Sequence, residues 1–120
     1  MNNKRRSALK MKFITKALEK KFKKYPLRSQ ADEEDPLVIA KFFNPYGSGT
    51  WYVFEAELQE DGTYLFYGYV DLLYGEFGYF TSAELQGIDV PLKINGKTLG
   101  YGKIERDMYF EPVRFSEVKG

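Results

Sequence analysis

Residues 51–72, WYVFEAELQEDGTYLFYGYVDL, decide the fold that we predict for this chain. The dipeptide Asp61–Gly62 lies between two apolar runs. It is a strong hairpin signal because its residues accept the positive φ angles of a tight turn. Residues 51–59 therefore predict one strand, and residues 63–72 predict a second strand that returns antiparallel to it.

Alternating patterns assign faces to these two strands. The even positions of the first strand are all apolar, namely Tyr52, Phe54, Ala56 and Leu58, whereas its odd positions end in Glu55 and Glu57. This alternation predicts one packed face and one face that meets water at its far end.

In the second strand, one face carries Tyr64, Phe66 and Val70, and the other carries Leu65, Tyr67 and Tyr69. A single sheet cannot bury both faces unless a further layer covers each. We therefore expect an exposed row of tyrosines. Such a row fits a base-stacking platform, a protein-contact patch, or tyrosines at an ordinary boundary between core and water.

Further strands are predicted on both sides of the hairpin. LVIAKFF (37–43) is a short β-branched and apolar run, and GEFGYF (75–80) follows the second hairpin strand. Asn95–Gly96 predicts another tight turn, and ERDMYFEPV (105–113) predicts a last strand that ends near Pro112. The pattern predicts about five strands, a common size for one sheet.

Two helices complete the predicted fold. Residues 15–25, TKALEKKFKKY, place Ala17, Leu18, Phe22 and Tyr25 at helical spacing, with Thr15 as N-cap and Pro26 after the end. Thr81 and Glu84 have capping-box spacing in TSAELQG, which predicts a short second helix near residues 82–86.

The predicted fold class is α+β, a single antiparallel sheet with one amphipathic N-terminal helix and one short second helix. Residues 11–120 form one domain, preceded by a basic extension, residues 1–10, that we expect to be flexible.

Composition limits the available chemistry. The chain has neither His nor Cys, which excludes thiol catalysis, catalytic triads and His- or Cys-ligated metal sites. No apolar run approaches the roughly 20 residues that a membrane span needs, and no apolar core follows the basic start as in a secretory signal. We therefore predict a cytoplasmic protein without a membrane segment or a cofactor.

The net charge of +1 conceals an asymmetry along the chain. Residues 1–24 carry a balance of +9, and residues 25–120 carry a balance of −8. The candidates for contact with nucleic-acid phosphates are Lys16, Lys20, Lys23 and Lys24 on the polar side of the first helix. A solvated lysine face explains the same pattern, and we favour it.

The segment NPYGSGTWYVFEA (44–56) is the one glycine-rich stretch that suggests nucleotide chemistry. A phosphate loop precedes a helix N-terminus and usually has a lysine beside it. Here Gly47-Ser48-Gly49-Thr50 precedes a strand, so we interpret the segment as a connecting turn. Tyr46 and Trp51 make it a candidate contact loop.

Carboxylates are the only catalytic or metal-binding candidates in the sequence. Glu55 and Glu57 share a strand face, and Glu105, Arg106 and Asp107 cluster before the predicted last strand. Paired acids can hold magnesium or act as acid and base, but no nucleophile or third ligand is spaced to help them. We prefer an ion pair between Arg106 and Glu55 or Glu57, and we interpret the acidic run at residues 32–35 as a solvated linker.

Several blocks of the chain resemble the family called domain of unknown function 2958. They are MKFITKALEKKF (11–22), KFFNP (41–45) with GTWY (49–52), EDGTYLFYGYV (60–70), EFGYFTSAEL (76–85) and IERDMYFEP (104–112). Residues 1–10 depart from the family as an extension, and DVPLKINGKTLGYGK (89–103) departs as a longer connection. The resemblance implies a small bacterial protein of plasmids, conjugative elements and phages, encoded near DNA-processing and anti-defence genes, and implies no established activity.

We therefore predict a non-catalytic accessory protein of mobile elements that binds another protein, with a host defence enzyme as one expected partner. The predicted contact residues are Tyr46, Trp51, Tyr67 and Tyr69. Nucleic-acid binding through the basic helix is the alternative, and a carboxylate–metal enzyme is a third class. We expect a monomer or a weak dimer.

Overall fold

The computed structural model describes residues 12–119, and these form three helices and nine strands. In chain order they are α1 (Lys16–Lys24), β1 (Leu37–Val38), β2 (Ala40–Phe43), β3 (Thr50–Leu58), β4 (Tyr64–Asp71), β5 (Gly75–Thr81), α2 (Ser82–Gly87), β6 (Asp89–Ile94), β7 (Lys97–Lys103), β8 (Glu105–Arg106), β9 (Val113–Arg114) and α3 (Phe115–Lys119). The extension predicted for residues 1–10 lies outside the described residues. Among residues 12–119, no helix is long and apolar enough to cross a membrane.

The main sheet has five antiparallel strands in the order β5-β4-β3-β2-β8. This architecture confirms the predicted α+β class and the predicted strand number. Two smaller antiparallel pairs, β1 with β9 and β6 with β7, lie outside the main sheet. The outermost strands of the main sheet are therefore β5, with seven residues, and β8, with two.

Both predicted tight turns are present. Gly62 has φ +86°, and the Asp61 carboxylate accepts hydrogen bonds from the Thr63 amide (3.0 Å) and hydroxyl (2.7 Å). The turn between β6 and β7 has φ +52° at Asn95 and +80° at Gly96, as a two-residue hairpin turn requires. The segment 89–103 is thus a hairpin of its own.

Helix α1 covers one face of the sheet. Its N-cap is Thr15, whose hydroxyl accepts a hydrogen bond from the Leu18 amide (3.2 Å), as predicted. Leu18 and Phe22 are buried, and the Phe22 ring meets the Tyr64 and Phe66 rings edge-on. We call this side of the sheet the α1 face.

The second helix, α2, begins as predicted with Thr81 as its N-cap. The Thr81 hydroxyl accepts a hydrogen bond from the Glu84 amide at 3.0 Å. Leu85 is buried in the same core as Phe22. The two helices therefore belong to one hydrophobic core on the α1 face.

A β-bulge in β3 changes the predicted faces of that strand. Val53 pairs with Gly68 and Glu55 pairs with Tyr67, so Phe54 is an extra residue in the ladder. After the bulge the alternation changes phase. Trp51, Val53 and Ala56 consequently lie in the core of the α1 face, whereas Phe54 belongs to a second cluster with Val38 and Tyr69. The predicted common face for the even positions was therefore wrong.

The end of the chain also differs from the prediction. Residues 105–113 form the two-residue strand β8, a turn and the start of β9, and not one strand. The run 37–43 is likewise divided into β1 and β2 at Ile39, whose amide donates to the Val53 carbonyl (2.8 Å). Helix α3 had no predicted counterpart, and its Phe115 ring packs on Phe54 and Tyr69.

Candidate functional site

The sheet face opposite α1 exposes aromatic rings beside the edge strand β5. Phe77 and Tyr79 are 56% and 61% exposed, and they alternate along β5 on the same face as their cross-strand neighbours Tyr69 and Tyr67. The Tyr79 and Tyr67 ring centroids are 4.9 Å apart. We call Tyr67, Phe77 and Tyr79 the aromatic patch.

The four residues predicted to contact a protein do not lie together. Tyr67 is half-buried within the aromatic patch, and Tyr46 is exposed at the corner before β3, with its ring over Gly102. Trp51 is only 6% exposed in the core of the α1 face, and Tyr69 is buried between the Phe77 and Phe115 rings. Both side chains are therefore largely covered by their neighbours.

Phe77 and Tyr79 were not singled out from the sequence, although GEFGYF was predicted to be a strand. Their alternation in that run was the available signal, since residues two apart share a face. What the sequence did not indicate is that β5 is an edge strand and that α3 covers only part of this face. Both facts depend on the order of strands in the sheet.

A buried carboxylate holds the linker between α1 and β1 against this face. Glu55 is 5% exposed, and its two oxygens accept hydrogen bonds from the backbone amides of Arg28 (2.8 Å) and Gln30 (2.9 Å). Arg28 adopts a positive φ of 76°, which is uncommon for a residue with a side chain. The predicted ion pair between Arg106 and Glu55 or Glu57 is absent from the described residues, because the Glu55 carboxylate bonds the linker backbone.

The Gln30 side chain is the second link between the linker and the sheet. Gln30 is 7% exposed, and its Nε2 donates to the carbonyls of Leu37 (2.8 Å) and Phe54 (2.9 Å), while its Oε1 accepts from the Leu37 amide (2.7 Å). The carbonyl of the bulge residue Phe54 is thereby satisfied. Nothing in the sequence around Gln30 indicated this role.

The second predicted cluster, Glu105, Arg106 and Asp107, lies at the β8 edge of the main sheet, opposite the β5 edge. Arg106 donates to the Lys12 carbonyl (3.2 and 3.1 Å), and Asp107 lies 3.6 Å from the Lys41 ammonium group. Glu105 pairs with Phe43 in the ladder. Across residues 12–119, no group of three or more acidic side chains could hold a metal ion.

Helix α3 is fastened to the linker by Asp35. The Asp35 carboxylate accepts hydrogen bonds from the Ser116 hydroxyl (2.6 Å) and the Ser116 amide (2.8 Å), and the Phe115 amide donates to the Pro36 carbonyl (2.8 Å). The Ser116 hydroxyl, then the Ser116 amide, and more weakly the charge of Arg114, hold the pKa of Asp35 below its ordinary value of 3.8. Ionised Asp35 therefore favours the docked helix.

We predict that the docking of α3 weakens as the pH falls through the lowered pKa of Asp35. A carboxylate with a lowered folded-state pKa contributes stability above its unfolded-state pKa, and that contribution is lost on acidification. Asp35→Ala should loosen the first turn of α3 at neutral pH, seen as faster hydrogen exchange of the Ser116 amide. Asp61→Ala is the matched control, because Thr63 lowers the pKa of that exposed carboxyl in the same way at a remote turn. Equal acceleration in both variants would contradict a local role for Asp35.

A cavity of about 520 Å³ separates the linker from the aromatic patch. We call it the linker cleft. Its aromatic wall consists of Phe54, Tyr67, Phe77, Tyr79 and Phe115. Its other wall consists of linker residues and includes the charged side chains Arg28, Glu33 and Glu34, with Glu55 at the buried side.

The four lysines proposed to contact nucleic acid, Lys16, Lys20, Lys23 and Lys24, are all exposed. They lie on α1, away from its buried residues Leu18 and Phe22. Within the described part of the chain, no acidic side chain forms an ion pair with any of them. This arrangement fits a solvated face and a phosphate-contacting face equally well.

Comparison with known proteins places the chain in a family. A family model described as "Protein of unknown function (DUF2958)" matches residues 13–117, which span the sheet and all but the end of the last helix. No curated protein and no solved structure matches the chain. The sequence resemblance is thus confirmed, and the chain belongs to the DUF2958 family of proteins of unknown function.

Proposed function

We propose that this chain is a non-catalytic binding protein that recognises an extended segment of another protein beside strand β5. The observation that carries the proposal is that Phe77 and Tyr79, each more than half exposed, lie on the same sheet face as Tyr67. Aromatic side chains at the centre of an interface commonly supply most of its binding energy.

The edge strand adds a backbone component to this surface. Strand β5 has seven residues and no proline, and it pairs with β4 on one side only within the described sheet. An unpaired edge offers backbone donors and acceptors to an incoming strand. A segment that extends the sheet in this way would place every second side chain over the aromatic patch.

The charge of the linker indicates which kind of partner segment binds best. The acidic linker, residues 32–35, lies next to the aromatic patch, and Glu33 and Glu34 line the cleft beside it. A basic segment complements this rim, whereas an acidic segment is repelled. The proposed partner segment is therefore extended and basic.

The family resemblance adds biological context to the proposal. We propose a bacterial cytoplasmic protein that is encoded by a mobile genetic element and that has a component of a host defence system as its partner. We further propose that the free chain is a monomer or a weak dimer, since the same edge strand can pair with a second copy.

The proposal predicts the outcome of a peptide-display selection with a library of random linear peptides. We expect the Phe77→Ser/Tyr79→Ser double variant to bind the selected peptides at least about 30-fold more weakly than the original chain, because the loss of even one aromatic anchor of about 2 kcal/mol has that effect. The matched control is Leu73→Ser/Tyr109→Ser, which removes two highly exposed apolar side chains outside the patch. Equal loss in both double variants, or no loss in either, would refute the aromatic patch as the binding surface.

Nucleic-acid binding through α1 is the second candidate, favoured by its four exposed lysines without ion pairs in the described chain. The discriminating variant is the triple change Lys20→Glu/Lys23→Glu/Lys24→Glu, tested with a DNA duplex and with the selected peptides. Phosphate contacts would make DNA affinity fall steeply with salt, and each lost contact would reduce the slope by roughly one unit. Loss of DNA binding in this variant, with no patch-dependent peptide found, would favour the nucleic-acid reading.

A further inference from the structure

The linker cleft has the size and the wall chemistry of a ligand site. Its volume of about 520 Å³ falls within the range of roughly 300–1,000 Å³ typical of small-molecule pockets. Five of its lining residues are aromatic, and four have charged side chains that belong to the linker and to β3. The aromatic rings and the charged side chains together indicate which class of ligand the cleft binds.

The charges that line the cleft are unbalanced. Three carboxylates, those of Glu33, Glu34 and Glu55, line it together with one guanidinium, that of Arg28. Glu33 and Glu34 are exposed, and neither forms an ion pair with a described lysine or arginine. Each oxygen of Glu55 accepts one backbone hydrogen bond and retains capacity for another. This excess of negative charge favours a positively charged ligand in the cleft.

The aromatic wall is suited to a cation of low hydration. The faces of tyrosine and phenylalanine rings attract cations, and this attraction is stronger where water is excluded. Tyr67 and Tyr79 lie side by side at 4.9 Å, and the Phe54 and Phe115 rings close the deeper part edge-on at 5.4 Å. A guanidinium group stacks on such rings while its N–H groups bond carboxylates, and it is more weakly hydrated than an ammonium group.

Other ligand classes fit less well. A wholly apolar group would cover the carboxylates without replacing their hydrogen bonds to water. A bare divalent cation lacks a suitable ligand set, since no group of three acids in residues 12–119 could hold one.

We infer that the linker cleft binds the guanidinium group of an arginine side chain. This inference rests on the proposed function, because the arginine would be carried by the partner segment beside β5. Phe77 and Tyr79 belong both to the aromatic patch and to the cleft lining, so a side chain from that segment enters the cleft directly. The arginine contacts the Tyr67 and Tyr79 rings on one side and the Glu33 and Glu34 carboxylates on the other.

The test is an NMR titration of the isolated chain with N-acetylarginine methylamide. N-acetylcitrulline methylamide is the neutral control, because its urea group has nearly the same shape without the charge. We expect the arginine probe to shift the amide signals of Arg28 and Gln30 and the ring signals of Tyr67 and Tyr79, and to bind at least tenfold more tightly than the citrulline probe. Equal affinity for the two probes would overturn the inference.

A pair of variants separates a local site from general attraction. Glu33→Gln/Glu34→Gln should weaken binding of the arginine probe at least fivefold. Glu57→Gln/Glu60→Gln removes the same charge from exposed positions outside the cleft and should leave the affinity unchanged. An equal effect of both double variants would show attraction to the net charge of the protein and would refute the site.

The selected peptides distinguish failure of this inference from failure of the proposed function. Peptides that need Phe77 and Tyr79 but carry no fixed arginine would refute the arginine site and leave the aromatic patch intact. Conversely, an arginine probe that binds in the cleft of a chain with no patch-dependent peptides would refute the proposed function and retain the site.

Discussion

Gly68→Ala is expected to destabilise the protein by about 3 kcal/mol or more, at the upper end of the cost of overpacking a core. A Cβ atom at residue 68 would lie 1.8 Å from the carbonyl oxygen of Tyr52 and 2.9 Å from its carbonyl carbon. Both are backbone atoms of the central strand β3, which cannot move away without separating from β4. Chemical denaturation of the purified variant measures the loss directly.

Gly78→Ala is the matched control, because Gly78 is the cross-strand neighbour of Gly68 on β5. A Cβ atom there meets nothing within 4 Å. We expect a change of at most about 1 kcal/mol, since alanine mainly restricts the unfolded chain at a position it fits. Equal destabilisation of the two variants would assign the effect to strand propensity and would contradict the close approach of β3 to residue 68.

Local signals predicted the elements that depend on neighbouring residues alone. Asp61–Gly62 and Asn95–Gly96 determine their turns through backbone dihedral angles, and Thr15 and Thr81 cap helices whose amides lie three residues away. Such features need no distant partner. The central hairpin, both predicted helices and the strand number were therefore predictable.

The parts that were wrong depend on contacts between distant residues. The bulge at Phe54 brings Ala56 onto the same face as Trp51 and Val53. The Phe54 carbonyl accepts a hydrogen bond from Gln30, which lies 24 residues earlier. An alternating pattern assumes an unbroken ladder, so it cannot show an inserted residue. The predicted common face for the even positions of β3 followed from that assumption and was wrong for that reason.

The candidate site was only partly predictable for a related reason. Tyr67 was identified from alternation, but its neighbours Phe77 and Tyr79 become an exposed surface only because β5 ends the sheet. Glu33 and Glu34 were interpreted as a solvated linker, which agrees with their exposure. Their position beside aromatic rings depends on Glu55 and Gln30, which hold the linker on the sheet.

Gln30→Ala is expected to reduce the free energy of unfolding by about 3 kcal/mol, because several polar backbone groups then lose their partners and each unsatisfied buried group costs about 1–3 kcal/mol. Those groups are the Leu37 amide, the Leu37 carbonyl and the Phe54 carbonyl. Gln86→Ala is the control, since the Gln86 side chain is exposed on α2 and its loss should change stability by no more than about 0.5 kcal/mol.

Gln30→Glu separates hydrogen bonding from shape at the same position. Glutamate has nearly the size of glutamine, but it presents an acceptor where Nε2 now donates to the carbonyls of Leu37 and Phe54. A buried charge beside two carbonyl oxygens is unfavourable, so we expect Gln30→Glu to lose at least as much stability as Gln30→Ala at neutral pH. A well-tolerated glutamate would show that packing, and not the amide hydrogen bonds, holds the linker against the bulge. If the bonds are responsible, Gln30→Ala should also weaken binding of the arginine probe, because the linker carries one wall of the cleft.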